Sequence, residues 1–305
     1  MPHNKISLFR YYAAWDSFQL VCRKTLHSNK INTPGEHSHD DFYELVIVAA
    51  GQGRHRTENS EWIIQPGNVF LIKPRQQHCY TEYDNMIIYN LLFSPSFITR
   101  VLPDLHLLPG FQLLFNLSTS QAARSDSDNL RIDADIFPEV IRLLDELDKL
   151  NTDLPSGGQT LLISNFAKVM YLIANHAQYV SSSNTLNSLE QISCLLSELQ
   201  KNYSAEWTLG KMARLCCMSV SSFRQKFTRL IGTSPVDYLL KLRLAQACGK
   251  LERSQDSLEV IAFACGFNDV NYFSRQFKKH YKILPSHYRR VFRTGQDITW
   301  QTHQQ

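Results

Sequence analysis

The stretch IAFACGFNDVNYFSRQFKKHYKILPSHYRR, Ile261 to Arg290, sets the architecture of the C-terminal part of the chain. An upstream stretch, FRQKFTRLIGTSPVDY (223–238), repeats it at an offset of 50 residues, with two phenylalanines, a proline and a tyrosine at identical spacing. Each copy follows a short helical pattern, a tight turn and an N-cap residue, Ser219 or Asp269. Helix, turn and second helix form a helix-turn-helix, and the repeat predicts two of them.

The second helix of a helix-turn-helix enters the major groove of DNA. In both copies the phenylalanines are spaced to face a core, which leaves on the other face side chains that read base edges or contact phosphates. The predicted DNA-binding residues are Ser221, Ser222, Arg224, Gln225 and Arg229 in the first copy, and Asp269, Asn271, Tyr272, Arg275, Lys278 and Lys279 in the second.

A predicted helix over 235–252 separates the two units. At 1.5 Å per residue it is about 27 Å long. We expect it to hold the recognition helices about one DNA turn apart, ~34 Å, so that one chain reads two adjacent major grooves.

Charge is distributed unevenly along the chain. Residues 187–305 contain 17 Lys and Arg against 9 Asp and Glu, whereas residues 1–186 contain 15 against 19. The basic excess is therefore confined to the C-terminal half, which indicates a polyanionic partner there.

The N-terminal half has a different pattern. FYELVIVAA, EWIIQPGNVFLIKP and MIIYNLLF, interrupted by GQG and a Pro-Gly turn, predict consecutive antiparallel strands. IFPEVIRLLDELDKL and QTLLISNFAKVMYLIANHAQYV then predict two amphipathic helices over about 136–180, to which we assign dimerisation. The polar segment SSSNTLNS predicts a linker.

The stretch GEHSHDDFYELVIVAAG, Gly35 to Gly51, carries a candidate binding site. It resembles the first half of the cupin metal motif in His37, His39, Glu44 and Gly51, and His78 is in place of the third histidine. Strand alternation places Glu44, Val46 and Val48 on one face. Three imidazoles and a carboxylate suit Zn, Ni, Mn or Fe(II), but they also suit hydrogen bonding to a small effector or within the barrel.

The second repeat unit closely resembles the AraC/XylS family of bacterial transcription regulators, with IA, GF, Asp, YF, R, FKK, P and YR in the family order over about 100 residues. HSHDDFYELVIV with G-x-G after it, together with Asp269 and Asn271, is most similar to rhamnose-responsive members. Two departures are Ser221 and Gln225, where those regulators carry arginines, so a different operator is expected. A third is Lys282, where the family usually has glycine, so a differently shaped turn is expected.

The resemblance implies a multidomain fold: an N-terminal cupin-like antiparallel β-barrel plus helices, and a C-terminal all-α domain with two helix-turn-helix motifs. The expected domains are 1–180 for effector binding and dimerisation, a 181–188 linker, 189–292 for DNA binding and a 293–305 tail. AraC-type regulators commonly hold a small effector, usually without metal, at the HxHDxxEL stretch. The predicted effector-binding residues are His37, His39, Tyr43, Glu44, Arg54 and His78; Tyr80 is a weaker candidate.

The residues and the resemblance together predict a sequence-specific regulator of carbohydrate-utilisation genes that binds promoter DNA and a sugar, forms a homodimer and, if it is an activator and not a repressor, contacts RNA polymerase. No cofactor is expected. The alternative is a metal-responsive regulator using His37, His39, Glu44 and His78. An enzyme is not expected, because no GxSxG, Walker or GxGxxG motif occurs.

Seven cysteines without a CxxC pair are expected to be reduced and mostly buried. The sequence has no run of 18 apolar residues, and its first residues, MPHNKISLFRYY, lack a signal-peptide core, so we expect a cytoplasmic protein that makes no membrane contact.

Overall fold

The computed structural model describes residues 4–6, 19–28, 35–58, 60–102, 104–117, 130–179 and 184–294. The chain forms two compact units, Met1–Ser197 and Glu198–Gln305. None of the helices in these described segments has the length and hydrophobicity needed to cross a membrane.

The first unit is built on a seven-stranded sheet. Its strands are β1 (Asn4–Ile6), β2 (Leu20–His27), β3 (His37–His39), β4 (Tyr43–Thr57), β5 (Glu61–Ile64), β6 (Val69–Ile72) and β7 (His78–Phe93). β4 and β7 are antiparallel along most of their length, and they form the centre of the sheet. β2 and β3 pair with β7, and β5 and β6 pair with β4. All of these pairs are antiparallel, whereas β1 and β3 are parallel.

The GQG segment, 51–53, does not end a strand as its glycines predict. β4 continues through it with register shifts between Val48 and Arg54. Gly51 has a φ of +69°, and a Cβ there would lie 2.4 Å from the carbonyl oxygen of Asn85. These glycines therefore allow a long strand to bulge and bend against β7. The Pro-Gly turn after β5 is confirmed, with Gly67 at a φ of +89°.

The two faces of the sheet have different partners. Val46, Val48, Trp62 and neighbouring apolar residues of β4 to β7 pack together on the inner face. This confirms the alternation predicted for β4. On the outer face, the Cys22 thiol of β2 donates to the carbonyl of Leu144 at 3.6 Å.

Helices cover that outer face. The elements after β7 are α1 (Pro95–Val101), a 3-10 turn (Leu105–Leu107), α2 (Pro109–Gln112), a π turn (Leu113–Leu117), β8 (Leu130–Ile132), α3 (Phe137–Thr152), α4 (Gly158–His176) and β9 (Ala177–Tyr179). α3 and α4 confirm the two predicted helices, but the second ends earlier than predicted. Residues 177–179 pair with β8 instead of extending α4, because β8 offers them hydrogen-bond partners that local sequence does not show.

The predicted linker lies partly inside a helix. α5 (Asn184–Lys201) includes residues 184–188 of the predicted 181–188 segment, and residues 181–183 lie outside the described residues. The apolar face of α5, with Leu189, Ile192 and Leu196, is buried. Polar residues preceding such a face extend the helix through backbone hydrogen bonds, which their composition alone does not exclude. The boundary between the two units falls within α5, after Ser197.

The second unit is all-α in its described part. Its helices are α6 (Leu209–Leu215), α7 (Val220–Ile231), α8 (Pro235–Arg253), α9 (Leu258–Ala264), α10 (Val270–Tyr281) and α11 (Pro285–Thr294). α8 confirms the helix predicted between the repeats. α11 extends into the predicted 293–305 tail as far as Thr294, and 295–305 lie outside the described residues.

The cysteines follow the predicted pattern. All seven are reduced, and five are buried, whereas Cys194 and Cys217 are exposed. Burial raises the pKa of the Cys265 thiol to about 11. A thiol with such a pKa is almost entirely protonated at neutral pH and so is a poor nucleophile.

Candidate functional site

A cavity of about 410 Å³ opens into the sheet of the first unit. This volume lies within the range of small-molecule sites, and all but one of the lining residues carry a polar side chain. β2, β3, β4 and β7 all contribute side chains to it. The lining residues are Arg23, Lys24, Thr25, His27, His37, His39, Glu44, His78, Tyr80, Asn90 and Leu92.

Three histidines meet at one end of this cavity. His37 and His39 lie two residues apart on β3 and so share a face. His37 is the register partner of His78 on β7. The ring centroids of His37 and His78 are 4.3 Å apart, and those of His39 and His78 are 5.0 Å apart. The structure thus brings together three residues that are up to 41 positions apart in sequence.

Glu44 of β4 completes this cluster. Its Oε2 atom is 2.5 Å from His39 Nε2 and 3.6 Å from His78 Nε2, and all three side chains are almost fully buried. Burial opposes ionisation of Glu44, but its contacts with His39 and the neighbouring imidazoles outweigh that effect and hold the pKa of Glu44 below its ordinary value.

The cluster is suited to accepting hydrogen bonds or a cation. Burial lowers the pKa of His78 to about 4 and also lowers that of His37, so both imidazoles are neutral at pH 7. A neutral imidazole has one nitrogen lone pair available, and the ionised carboxylate of Glu44 has several.

Two of the predicted effector residues do not line the cavity. Tyr43 is adjacent to Glu44 on β4, so it points to the opposite face, where its ring contacts Phe93 and Phe115. Arg54 forms an ion pair with Glu82 at 2.8 Å on the surface. The weaker candidate, Tyr80, does line the cavity, and its buried hydroxyl has no hydrogen-bond partner among the described residues.

Sequence reasoning missed the contribution of β2. Arg23, Thr25 and His27 lie on its inward face, while Cys22 and Lys24 contact α3 on the other side. The available signal was weak, since LVCRKTLH mixes charged and apolar residues on both faces. Asn90, another lining residue, was also missed because MIIYNLLF is otherwise a hydrophobic strand.

The first helix-turn-helix consists of α6 and α7. The hydroxyl of Ser219 caps α7 by accepting from the Ser222 amide at 3.3 Å. Phe223, Phe227 and Leu230 are buried, as predicted. Ser221, Arg224, Gln225 and Arg229 are exposed, and Ser222 is half-buried.

The second helix-turn-helix consists of α9 and α10. Phe273 and Phe277 are buried, and the Asp269 carboxylate caps α10 by accepting from the Asn271 amide at 2.7 Å. The six residues predicted to contact DNA are all exposed; they are Asp269, Asn271, Tyr272, Arg275, Lys278 and Lys279. Because one carboxylate oxygen of Asp269 is engaged in capping, only its other lone pairs remain available to a base.

The turn after α10 has the same shape as its counterpart after α7. Lys282 has φ 66° and ψ −1°, and Gly232 has φ 78° and ψ 3°. The expectation of a differently shaped turn is therefore wrong. Lysine adopts the left-handed conformation because Pro285 starts α11 at the same distance as Pro235 starts α8 after Gly232, so the chain must turn within the same span.

Comparisons with known proteins agree with this architecture. A family model described as an AraC-like ligand binding domain matches residues 19–163, and one described as a helix-turn-helix domain matches residues 212–291. The first range covers the cavity, and the second covers both helix-turn-helix units.

Relatives match over most of the chain. This chain is 28% identical over 257 residues to the HTH-type transcriptional activator RhaR of Mannheimia succiniciproducens, and the match covers 84% of this chain and 87% of the relative. It is 27% identical over 267 residues to the HTH-type transcriptional activator RhaS of Escherichia coli, with 86% and 88% covered. These relatives are transcriptional activators and not enzymes, in agreement with the sequence-based expectation.

Two solved structures each match about a third of this chain. An AraC-type regulator from Chromobacterium violaceum is 26% identical over 33% of this chain and 91% of its own, with a TM-score of 0.32. The DNA-binding domain of AdpA in complex with a target DNA is 24% identical over 33% and 92%, with a TM-score of 0.33. From its two matched domains, this chain belongs to the AraC family of DNA-binding transcription regulators, with a ligand-binding domain preceding its helix-turn-helix domain.

Proposed function

We propose that this regulator responds to a sugar bound in the cavity of its first unit and controls carbohydrate-utilisation genes. The observation that carries the proposal is a cavity of about 410 Å³, lined by residues of which all but one carry polar side chains, inside a domain that matches the AraC-like ligand binding family. Sugars present many hydroxyl groups, and the lining offers imidazole, carboxylate, amide and hydroxyl partners for them. Relatives carrying the names RhaR and RhaS support a sugar as the effector class.

Buried groups without partners support this proposal. The Tyr80 hydroxyl and the Asn90 Oδ1 atom are buried and lack a hydrogen-bond partner among the described residues. Such groups are costly unless a ligand or water satisfies them. A sugar in the cavity would donate to Asn90 and exchange a hydrogen bond with Tyr80.

In the second unit, α7 and α10 act as the recognition helices. Their exposed faces carry Arg224, Gln225 and Arg229 on α7, and Asn271, Arg275 and Lys279 on α10, together with the other exposed residues described above. Arg and Asn pair with guanine and adenine edges respectively, and Lys contacts phosphates. The regulator acts where promoter DNA lies, in the cytoplasm, and as an activator it contacts RNA polymerase.

Dimerisation is assigned to α3 and α4. The inward faces of both helices are buried within the protomer, so only their outer faces remain for a second copy. On α4, Leu161 and Tyr171 are exposed apolar side chains, and their spacing of ten residues places them about 80° apart around the helix axis, within one half of the helix surface. Leu161→Ser with Tyr171→Ser is expected to convert a dimer to a monomer in sedimentation velocity.

The test of sugar sensing is a melting experiment on the full chain with a panel of sugars, each with and without a chelator. A ligand at 100 times its Kd adds about 2.7 kcal/mol to the stability of the form that binds it. One sugar should raise Tm selectively, and Asn90→Ala should abolish the rise. The exposed Asn175→Ala is the matched control.

The outcomes separate sugar sensing from its alternative. If no sugar in the panel changes the Tm of the wild type, or if Asn90→Ala and Asn175→Ala respond alike, the cavity is not the sugar site. A metal-responsive regulator would instead change its DNA affinity on chelation with no sugar present.

A further inference from the structure

Three buried polar atoms at the end of the cavity face one another without hydrogen-bond partners among the described residues. They are His39 Nε2, His78 Nε2 and Glu44 Oε2. The distances from Glu44 Oε2 are 2.5 Å to His39 Nε2, an ion-pair contact, and 3.6 Å to His78 Nε2, which is too long for a hydrogen bond. Leaving such atoms unsatisfied is unfavourable, because burial removes the water that would otherwise solvate them.

Backbone contacts orient two of the imidazoles. His37 Nδ1 lies 2.8 Å from the carbonyl oxygen of Gly35, and His78 Nδ1 lies 3.4 Å from that of Gln76. A carbonyl only accepts, so Nδ1 carries the proton and donates. The lone pair of each ring is then on Nε2. Metal-binding histidines have the same arrangement, in which the second ring nitrogen donates to a carbonyl or carboxylate.

The spacing fits a single ion. Each of His37, His39 and His78 offers a nitrogen, and these three atoms lie within 4.8 Å of one another. Two ligands of one ion, each bonded at about 2.1 Å, are at most about 4.2 Å apart. Ligands of a tetrahedral ion lie about 3.4 Å apart, so side-chain shifts of up to about 0.7 Å each close the site.

A hydrogen-bond network without an ion explains less of this geometry than a bound ion does. A proton shared between His39 and Glu44 satisfies that pair but leaves Nε2 of His78 without a partner. Other buried histidines near the cavity, His27 and His55, pack against the rings of Tyr80, Tyr83, Trp62 and Phe70 and are not in the cluster. The convergence is thus specific to the residues of β3, β4 and the start of β7.

We propose that His37, His39, His78 and Glu44 bind one divalent transition metal ion. Imidazole nitrogens select Zn²⁺, Ni²⁺, Co²⁺, Mn²⁺ or Fe²⁺ over Mg²⁺ and Ca²⁺, which prefer oxygen ligands. The ion joins β3, β4 and β7 at the end of the cavity. This proposal does not depend on the sugar, since the four ligands come from the protein.

The experiment uses the tag-free full chain, stripped with a chelator and titrated with Zn²⁺, Ni²⁺, Co²⁺ or Mn²⁺. Calorimetry and elemental analysis after dialysis measure affinity and stoichiometry, and the visible absorption of bound Co²⁺ reports its coordination. One equivalent per chain is expected for at least one of these ions. His78→Gln and Glu44→Gln should each weaken its binding by about 100-fold or more, because each removes a direct ligand.

His27→Gln is the matched control, since His27 is a buried histidine that lines the same cavity outside the cluster. It should bind metal as the wild type does. Hydrogen exchange of strand β4 in the metal-free variants establishes that they are folded. The proposal is overturned if none of the four ions binds stoichiometrically, or if His78→Gln and Glu44→Gln bind as tightly as His27→Gln.

The results also separate this proposal from sugar sensing. A sugar that raises Tm equally in stripped and metal-loaded protein, with no stoichiometric metal, removes the metal site and leaves the sugar proposal intact. Stoichiometric metal binding with no response to any sugar supports the metal site and removes the sugar proposal.

Discussion

At the scale of single residues, two non-glycine positions of the helix-turn-helix units adopt left-handed backbone. Lys282 has φ 66° where the first helix-turn-helix has Gly232, and Cys217 has φ 51° where the second helix-turn-helix has Gly266. A side chain in this conformation costs about 1 to 2 kcal/mol. The repeat therefore uses one backbone geometry in both copies, and each copy tolerates one unfavourable residue within it.

Lys282→Gly should raise the free energy of unfolding of the C-terminal compact unit by about 1 kcal/mol, because the relief of backbone strain exceeds the added entropy of glycine in the unfolded chain. Urea denaturation followed by the helical circular dichroism signal measures this. Gly232→Lys is the reciprocal variant and should destabilise by a similar amount. A destabilised Lys282→Gly protein would contradict the strain inferred from φ.

On α10, Arg275→Ala and Lys279→Ala should affect DNA binding differently. Loss of a base contact at Arg275 should cost about 1 to 3 kcal/mol on the cognate site and relax base preference. Loss of a phosphate contact at Lys279 should weaken binding to all DNA about equally and lower the salt slope by about one unit.

Anisotropy titrations on cognate and random duplexes at several salt concentrations distinguish these effects. Equal losses on both duplexes for Arg275→Ala would exclude the base-reading role. Lys226→Ala is the comparison variant for both losses of affinity. Lys226 lies half-buried on α7 and is not among the predicted DNA contacts.

At the scale of elements, a small cluster of hydrogen-bonded polar residues connects α3 to β2 on the outer face of the sheet. Asp145 of α3 accepts from Lys24 Nζ at 2.9 Å and from the Tyr89 hydroxyl at 2.5 Å. Asp148, one turn later, accepts from the Lys24 amide at 3.0 Å. These contacts hold the strand that lines the cavity against a helix assigned to dimerisation.

This group predicts a pH dependence. Partial burial opposes ionisation of Asp145, but hydrogen bonds from Tyr89 and Lys24 outweigh it and lower the pKa of Asp145. A carboxylate with a depressed folded pKa stabilises the fold above its unfolded pKa of about 3.9, and this contribution is lost as pH falls through the folded value.

Hydrogen exchange of the Leu20–His27 amides measures the effect in the full chain. Their protection in the wild type should fall as the solution is acidified below about pH 4. Asp145→Asn should already show reduced protection at neutral pH and change less on acidification. Asp153→Asn, at the C-terminal end of the same helix, is the control and should behave as the wild type. Identical pH profiles for all three proteins would show that Asp145 does not tie α3 to β2.

At the scale of the whole molecule, an effector-binding unit and a DNA-binding unit are joined in one chain. If the effector shifts the affinity for DNA by a given factor, DNA must shift the affinity for the effector by the same factor. Each unit has its own apolar core, so the coupling is expected to change affinity without being required for either unit to fold.

This equality of the two affinity changes can be tested with the effector identified in the melting experiment. The Kd for DNA, with and without effector, and the Kd for effector, with and without cognate DNA, should change by the same ratio, which is about 5- to 150-fold for typical coupling. Calorimetry and anisotropy give the two ratios independently. Ratios of one in both directions would mean that the cavity ligand does not regulate DNA binding.

The sequence by itself determined the helix-turn-helix repeat, because its information is local: helical spacing of Phe223, Phe227, Phe273 and Phe277, N-cap residues and prolines follow one another along the chain. It also determined the inward face of β4, since strand alternation is a local rule. The GQG bulge and the strand over 177–179 depended on distant partners, Asn85 and β8.

The cavity required the tertiary structure. Its wall includes β2, whose inward residues became recognisable only when β2 paired with β7, and that pairing joins residues 59 to 73 positions apart. The same packing turned Tyr43 and Arg54 away from the cavity. Local sequence specifies which residues share a face, whereas the pairing of distant strands decides which faces meet, because hydrogen bonds between strands depend on spatial proximity and not on separation along the chain.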